Sequence, residues 1–450
     1  MYELSLGDFK NIEGAEFKNI PTAVDTFFGV SIDSRTIKKN EIFWAIKGER
    51  FDGHDFVNTA IKAGALFAVV ERGFNYGTLP AVVTPDTLKS LQTLANVHRN
   101  KFDIPVIAIT GSNGKTTLKE MLAQILQSDK QVLKTEGNLN NHIGCPLTLL
   151  RLKEKHQAAI VELGSNHPGE IDVLAKICEP THAVISNIGE AHLEFFKNKE
   201  GVFKEKTSLF DDMKSGTHIF INMNDPWLRK YEAENGQRII RYAFDEDADV
   251  QGTDLKVDKE GRASFVLNAE TEIHLLVAGI HNAYNALAAS AVALSLGYDE
   301  TAVKTALQSY RAFDKRMQRV ELNGAEIIND CYNASPDSMQ AAIDTVSRIH
   351  TDGSVYLLLG DMFELGETAL QAHKRIIEKA LNVERGYVFL LGETMKKAAG
   401  NLKNENMRIL NSNEEAASIL KKLIKPGDLV LIKGSRGMKM EEIIELMKKA

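Results

Sequence analysis

The chain has 450 residues, 44% hydrophobic and 26% charged, with 32 Gly and 10 Pro. At roughly 100 to 200 residues per domain this implies about three globular domains and excludes long disordered tracts. Lys and Arg number 54 against 61 Asp and Glu, a net charge of -7, so no global cationic field exists to hold a nucleic-acid backbone and no nucleic-acid partner is expected.

No apolar run reaches the ~20 residues of a membrane-spanning helix, and the opening MYELSLGDFK lacks the basic and apolar regions of a signal peptide. A cytoplasmic protein without membrane insertion is expected. Cys145, Cys178 and Cys331 are far apart in sequence, which gives neither a disulfide framework nor a close metal-binding pair. They read as packing residues.

Residues 1–84 carry short strand-like pieces, FFGVSID, EIFWAIK, ALFAVV and PAVVT, around one helical stretch, DFVNTAIKAG. This predicts a small mixed α/β N-terminal domain. After Pro85 and Asp86 the helical pattern TLKSLQTLANVHRNKF leads to VIAIT, an apolar run short enough to be a buried parallel strand. Helix TLKEMLAQILQS, strand AAIVELG, helix EIDVLAKI, strand HAVISNIG and a long helical stretch from HNAYNALAASAVALSLG follow. Such alternation predicts a doubly wound sheet of P-loop ATPase type over residues 85–313, with an added β-rich portion at 218–276.

From residue 314 a third series runs EIINDC, SMQAAIDTVSRI, VYLLLG, ALQAHKRIIEKAL, YVFLLG, EEAASILKKLI, DLVLIKG and MEEIIELMKK. It predicts a Rossmann-like domain over 314–450, with EIINDC as its first strand. The fold class is therefore three-domain α/β.

The strongest chemical signal is VIAITGSNGKTTLKEML, a strand, a Gly-bearing loop and a helix. Gly111 and Gly114 let the backbone around Ser112 and Asn113 turn its N–H groups inward, and the helix start at Thr117 adds partial positive charge. Lys115 can reach terminal phosphates and Thr116 can ligate magnesium. The spacing is G-x-x-G-K-T, with Ile109 where the longer motif has its first Gly, so this is a P-loop variant.

Glu162 and His192 follow strands whose carboxyl ends form the expected ligand edge, and either could join Thr116 around magnesium. Imidazole suits that ion less well than oxygen, and a lone His is more often a hydrogen-bonded structural residue. Lys206 in GVFKEKTSLF reads, by itself, as a solvated helix lysine. Asn282 and Asn285 share a helix face and could read a base edge, hold a loop, or cap the helix. Asp330, Tyr332, Asn333 and Ser338 crowd one strand end of the last domain, and a site reading is favoured there.

In chain order, DSR at 33–35, GERFDGHDF at 48–56, TGSNGKTT, GNLNNHIGCPLTLL, VELGSNHPGEI, SNIGEAHLEFF, HNAYNALAA, DCYNASPDSMQAAI, LGDMFELGE and KGSRGMKME resemble the Mur ligase family. These are ATP-dependent enzymes that add amino acids or a dipeptide to the UDP-linked peptidoglycan precursor. The likeness covers nearly the whole chain. TGSNGKTT alone would also fit the related folylpolyglutamate synthases, but Asn333 stands where members adding single amino acids usually have His, as in the dipeptide-adding member. The Asp-Asn-Pro-Arg motif of the diaminopimelate-adding member is absent. Ser335, where Asn is frequent, and His142, where an acidic residue can occur, depart from the pattern.

The resemblance implies joining of D-alanyl-D-alanine to UDP-N-acetylmuramoyl-tripeptide, with ATP and Mg2+ as cofactors and a monomeric chain. It implies that Gly111, Ser112, Asn113, Gly114, Lys115, Thr116 and Thr117 hold the ATP phosphates, with Thr116, Glu162 and His192 at magnesium. Lys206 would react with carbon dioxide to a carbamate that ligates a second magnesium. Asn282 and Asn285 would contact adenine, Arg316 the phosphates and Asp330 the ribose. Ser34 and Arg35 would lie near the UDP moiety, and Asn141, Tyr332, Asn333 and Ser338 would contact substrate.

Overall fold

The computed structural model describes residues 4–211, 213–233, 236–312 and 315–449. The expected boundary at 313/314 lies outside the described residues. Three main sheets follow one another along the chain, and a two-stranded ribbon pairs Leu4–Ser5 with Thr26–Phe27.

The first sheet has the spatial order Glu16–Lys18, Ala81–Thr84, Ala68–Glu71, Ile42–Trp44, Val30–Ser31, parallel except for its first pair. FFGVSID is thus not one strand. Thr26–Phe27 pairs with the start of the chain, and Val30–Ser31 joins the sheet. Apolar faces alternate into an aromatic centre in which Phe9 stacks on Trp44 at 5.7 Å, with Phe27 and Phe67 each 6.0 Å from Phe9. The helix Thr87–Arg99 starts where Asp86 accepts the Lys89 N–H. It seals this domain to the next. Trp44 Nε1 donates to the Thr87 carbonyl at 2.7 Å, Arg99 donates to the Cys178 and Glu179 carbonyls, and Leu91, Leu94 and Ala95 belong to a core shared by both sheets.

The second sheet has nine strands. Val106–Thr110 lies between Ala158–Glu162 on one side and His182–Ile185 on the other, all parallel. These strands are buried on both faces, which explains their unbroken apolar runs. The β-rich stretch extends the sheet outward: His218–Asn222, Arg238–Phe244 and Val250–Val257 continue in parallel, and Arg262–Leu267 and Thr271–Ala278 close it as an antiparallel meander. The long helical stretch at 281 is two helices, Ile280–Ser295 and Glu300–Ser309, the second capped by Asp299.

The third sheet is six-stranded and parallel apart from its edge. EIINDC does not supply its first strand. Gln318–Leu322 precedes Ala325–Asn329 and pairs with it antiparallel across Asn323-Gly324, both at positive φ. Asn-Gly is the usual residue pair of such a tight hairpin, because its two central positions need φ above zero. A helix at Glu393–Ala399 and an edge strand at Met407–Leu410 also go beyond the sequence reading. The cysteines are buried, and burial raises their thiol pKa values, that of Cys178 to about 12. Among the described residues no helix is long and apolar enough to cross a membrane.

Candidate active site

The strand Val106–Thr110 has its sheet neighbours joined by connections on opposite sides, so a crevice opens at its carboxyl end, where ligands of open α/β sheets bind. The loop after it leads into the helix Lys115–Leu126 through Gly114 at φ +82°. A Cβ on Gly114 would come within 2.5 Å of Asn285 Oδ1, and one on Gly111, at φ +136°, within 2.0 Å of Ser186 Oγ. Both glycines are required by conformation and by close approach.

The loop after strand His182–Ile185 fixes the P-loop from one side. Ser112 N donates to the Asn187 carbonyl at 3.0 Å, Asn113 N to Asn187 Oδ1 at 3.1 Å, and Gly189 N to Ser112 Oγ at 2.8 Å. Asp225 in turn accepts from Ile188 N at 2.8 Å. The first turn of the helix keeps its orphan N–H groups and its positive dipole end toward the crevice. Thr117 stands in that first turn.

Lys115 is half-buried and folds back so that Nζ donates to the Gly111 carbonyl at 2.7 Å and the Ser112 carbonyl at 3.3 Å. Desolvation lowers its pKa and Arg316 adds to this, while Glu162 opposes it. Thr116 Oγ1 donates to Glu162 Oε2 at 2.9 Å and accepts from Arg316 Nη2 at 2.9 Å. Glu162 Oε1 accepts from Asn140 Nδ2 at 2.9 Å. The hydroxyl and carboxylate are hard oxygen donors beside a phosphate-type cradle, which fits magnesium. Among the described residues no three His, Cys, Asp or Glu side chains gather as a cation cage. An ion here would depend on phosphate and water for its remaining ligands.

His192 lies in the crevice at φ +52°, with Nδ1 2.5 Å from Glu364 Oε2 of the last domain. Its ring is thus engaged across the domain interface. Lys206 is not a solvated lysine. It is 1% exposed on the helix Lys199–Asp211, donates to Ser165 Oγ at 2.7 Å and lies over the Phe196 ring at 5.8 Å. Desolvation, aided by Lys115, pulls its pKa down to about 7 against the opposing pull of Glu205 and Glu170.

Asn282 and Asn285 are buried at the start of helix Ile280–Ser295 and line the crevice. Asn282 Nδ2 donates to the Ala278 carbonyl at 2.7 Å, and Asn285 packs on Gly114, so part of their work is to hold the loop. Arg316 stacks on Tyr332, with its guanidinium carbon 3.9 Å from the ring centroid. Asp330 pairs with buried Lys433 at 2.5 Å and accepts from Met317 N at 3.0 Å.

Asn333 Oδ1 accepts from Ala334 N at 2.9 Å and faces the crevice with Tyr332. Ser338 forms a capping box with Ser335 at the start of helix Pro336–Val346, so its hydroxyl already has a structural duty. Asn141 lines the crevice while its Oδ1 accepts from Gly144 N at 2.8 Å. Ser34 and Arg35 are not brought to this crevice. Ser34 is buried, and Arg35 is exposed and paired with Asp33 at 2.7 Å. From the first domain, Glu49 of the GERFDGHDF loop lines the crevice.

Several participants were not singled out as candidates in the sequence. Asn140, Asn187, Asp225 and Glu364 are ordinary polar loop residues, and Asp337 an ordinary acidic residue in the first turn of a helix, until the fold gathers them. Asp337 Oδ2 accepts from Glu190 N at 2.5 Å, Ser335 Oγ donates to Asn113 Oδ1 at 2.9 Å, and Arg375 pairs with Glu190 at 2.6 Å. The last domain therefore sits directly on the P-loop. The crevice measures about 1440 Å3, beyond the roughly 300–1,000 Å3 of a single small-ligand pocket, so it has room for more than one small ligand.

A P-loop crevice closed over by a Rossmann-like domain defines a nucleotide-dependent α/β enzyme. Residues 26–128 match the Mur ligase family catalytic domain, 109–293 the Mur ligase middle domain, and 315–436 the Mur ligase glutamate ligase domain. The UDP-N-acetylmuramoyl-tripeptide--D-alanyl-D-alanine ligase of Bacillus subtilis (strain 168) is 36% identical over 428 residues, covering 93% of this chain and 92% of that protein. The chain belongs to the Mur ligase family. The crystal structure of MurF from Acinetobacter baumannii matches at TM-score 0.91 and 31% identity over 100% of both chains. That of MurF ligase from Thermotoga maritima in complex with ADP matches at 0.83 and 29%, covering 94% of this chain and 97% of that one.

Proposed function

We propose that this chain is an ATP-dependent amide ligase that joins D-alanyl-D-alanine to UDP-N-acetylmuramoyl-tripeptide, giving UDP-N-acetylmuramoyl-pentapeptide, ADP and phosphate. The observation that carries the chemistry is the convergence of Lys115, Thr116 and Glu162 with Asp330, Tyr332 and Asn333 of the last domain on one crevice. The acceptor follows from the relatives' activity and from Asn333. Residues 1–84 are assigned to the UDP-linked precursor, 85–313 to ATP and 314–450 to the acceptor side. Cytoplasmic location and a monomeric state complete the proposal.

The terminal carboxylate of the tripeptide attacks the γ-phosphorus of ATP, forming an acyl phosphate and releasing ADP. Two anions meet in that step, so the crevice must neutralise charge. Lys115 and Arg316 bring ammonium and guanidinium charge, respectively, to the phosphates, and P-loop amides orient them. Magnesium held by Thr116 and Glu162, with His192 at the same site, would supply further charge neutralisation. The free amine of the dipeptide then attacks the acyl carbonyl and expels phosphate, which leaves the new amide bond. Asn282 and Asn285 are assigned to adenine and Asp330 to ribose, with Ser34 and Arg35 on the UDP side. Asn141, Tyr332, Asn333 and Ser338 border the peptide substrates.

Only a neutral amine can attack carbon dioxide. With its pKa drawn to about 7, Lys206 is roughly half neutral near pH 7, whereas an ordinary lysine is neutral in only about one molecule in a thousand or fewer. This supports a carbamate at Lys206 that turns a buried cation into an oxygen ligand.

Phosphate release with ATP, magnesium and UDP-N-acetylmuramoyl-tripeptide, with and without D-alanyl-D-alanine, tests the reading. Release that needs the dipeptide and a product of pentapeptide mass is expected. Release indifferent to any small acceptor would instead fit a nucleotide switch, and release with a different amino acid would fit another ligase of the family. Lys206→Ala is expected to lose most activity while still binding ATP.

A further inference from the structure

The face of helix Lys115–Leu126 that carries Thr116 also carries Lys119 and Glu120, one turn further on. Lys119 is 1% exposed, among the most completely buried large side chains of the chain. Its Nζ donates to the Thr135 carbonyl at 2.8 Å and lies 3.2 Å from Glu120 Oε1 and 3.6 Å from Glu162 Oε2. Glu120 already has its own cation, Lys134, whose side chain reaches solvent. Lys119 therefore lies between two carboxylates, Glu120, which it shares with Lys134, and Glu162.

Thr135 contributes to the same end. Its hydroxyl accepts the Glu162 N–H at 2.9 Å, and its carbonyl anchors Lys119. Glu162 is thus held by Thr116 and Asn140 from the crevice side and by Lys119 from behind. A buried ion pair is weak evidence of stabilisation, because an apolar pair of similar volume is often as stable. Groups behind a ligating carboxylate, by contrast, commonly set its orientation and the affinity of the site.

We propose that Lys119 is a positioning residue that fixes the Glu162 carboxylate in the orientation facing Thr116, and so sets the magnesium requirement of nucleotide binding. The inference rests on the nucleotide-site reading above. Two physical effects of removing Lys119 have opposite signs. Loss of a nearby positive charge by itself would lower the magnesium requirement. Loss of the orientation of Glu162 raises it.

The test is the magnesium concentration at half-maximal binding of a fluorescent, non-hydrolysable ATP analogue to the purified full chain. Lys119→Met is expected to raise it about tenfold, with binding of the analogue in the absence of magnesium unchanged, and with kcat recovering at high magnesium. Glu120→Gln leaves the contact with Glu162 intact and is expected to shift the requirement less than about twofold. Thermal unfolding checks folding. Should Lys119→Met not fold, Lys119→Gln, which retains a donor for the Thr135 carbonyl, is read by the same criteria. An unchanged or lower requirement in the Lys119 variant, or equal shifts in the Lys119 and Glu120 variants, overturns the proposal. Absence of magnesium-dependent binding in the parent chain overturns the nucleotide-site reading with it.

Discussion

Replacing Lys206 by methionine is expected to make the protein more stable near neutral pH while abolishing its activity. In the fold, burial among Ser165 and Phe196 holds the amine at about 7, against 10.5 for the free side chain. Between those two values the unfolded chain binds a proton that the folded chain does not. Stability therefore rises with pH across the window from about 7 to about 10.5. At ~1.4 kcal/mol per pH unit the buried amine costs about 5 kcal/mol below pH 7 and slightly less at pH 7, and the cost fades to nothing near the upper end. Methionine has similar length and no charge, so it removes the titration, with about 1 kcal/mol given back for the lost bond to Ser165.

Urea unfolding of parent and Lys206→Met in carbon dioxide-free buffer from pH 6.5 to 9.5 measures this. The variant should be more stable by about 4 kcal/mol at the low end, and the difference should shrink as pH rises. Parallel curves for the two proteins, or a variant less stable at pH 7, would refute the assignment of a buried lysine with a pKa near 7. A gain in stability with loss of function is the usual sign that a costly group is retained for chemistry.

Gly114→Ala places a Cβ 2.5 Å from Asn285 Oδ1 at φ +82°, a strain of about 1–3 kcal/mol. ATP affinity measured by calorimetry should fall about 10- to 100-fold, and unaltered affinity would mean that the loop does not cradle the nucleotide. Thr116→Val removes the hydroxyl that links Glu162 and Arg316. Phosphate-release kinetics should show kcat/KM reduced at least about tenfold, and a full-rate variant would exclude Thr116 from the site. Asp337→Ala removes the acceptor of the Glu190 N–H and the carboxylate that faces Lys199 at 4.0 Å. X-ray scattering of the parent should contract when an ATP analogue and both substrates are added, and the variant should contract less. Superimposed curves for the parent with and without ligands would refute domain closure.

Local rules made much of the molecule readable from the chain. The apolar runs VIAIT, AAIVE, VYLLLG and LVLIK became parallel strands because a strand buried on both faces needs no polar alternation. TGSNGKTT was legible because a glycine loop before a helix start is a site made by adjacent residues. The Asn323-Gly324 hairpin was equally local, yet the stronger apolar signal of the following strand masked it. Arg35 shows the opposite limit, since a motif gave its place in the chain but not its neighbours.

The three-part α/β plan and the glycine loop before a helix start were legible in the chain alone, because both rest on hydrophobic period and on residues next to one another. Which polar side chains gather in one crevice depends instead on how the sheets and helices pack. Glu162 meets Thr116 across 46 positions and Arg316 reaches Thr116 across 200. Burial of Lys206 and Lys119 depends on the helices and strands packed around them. Desolvation and Coulomb energy depend on distance and burial in space, which no short window of sequence contains.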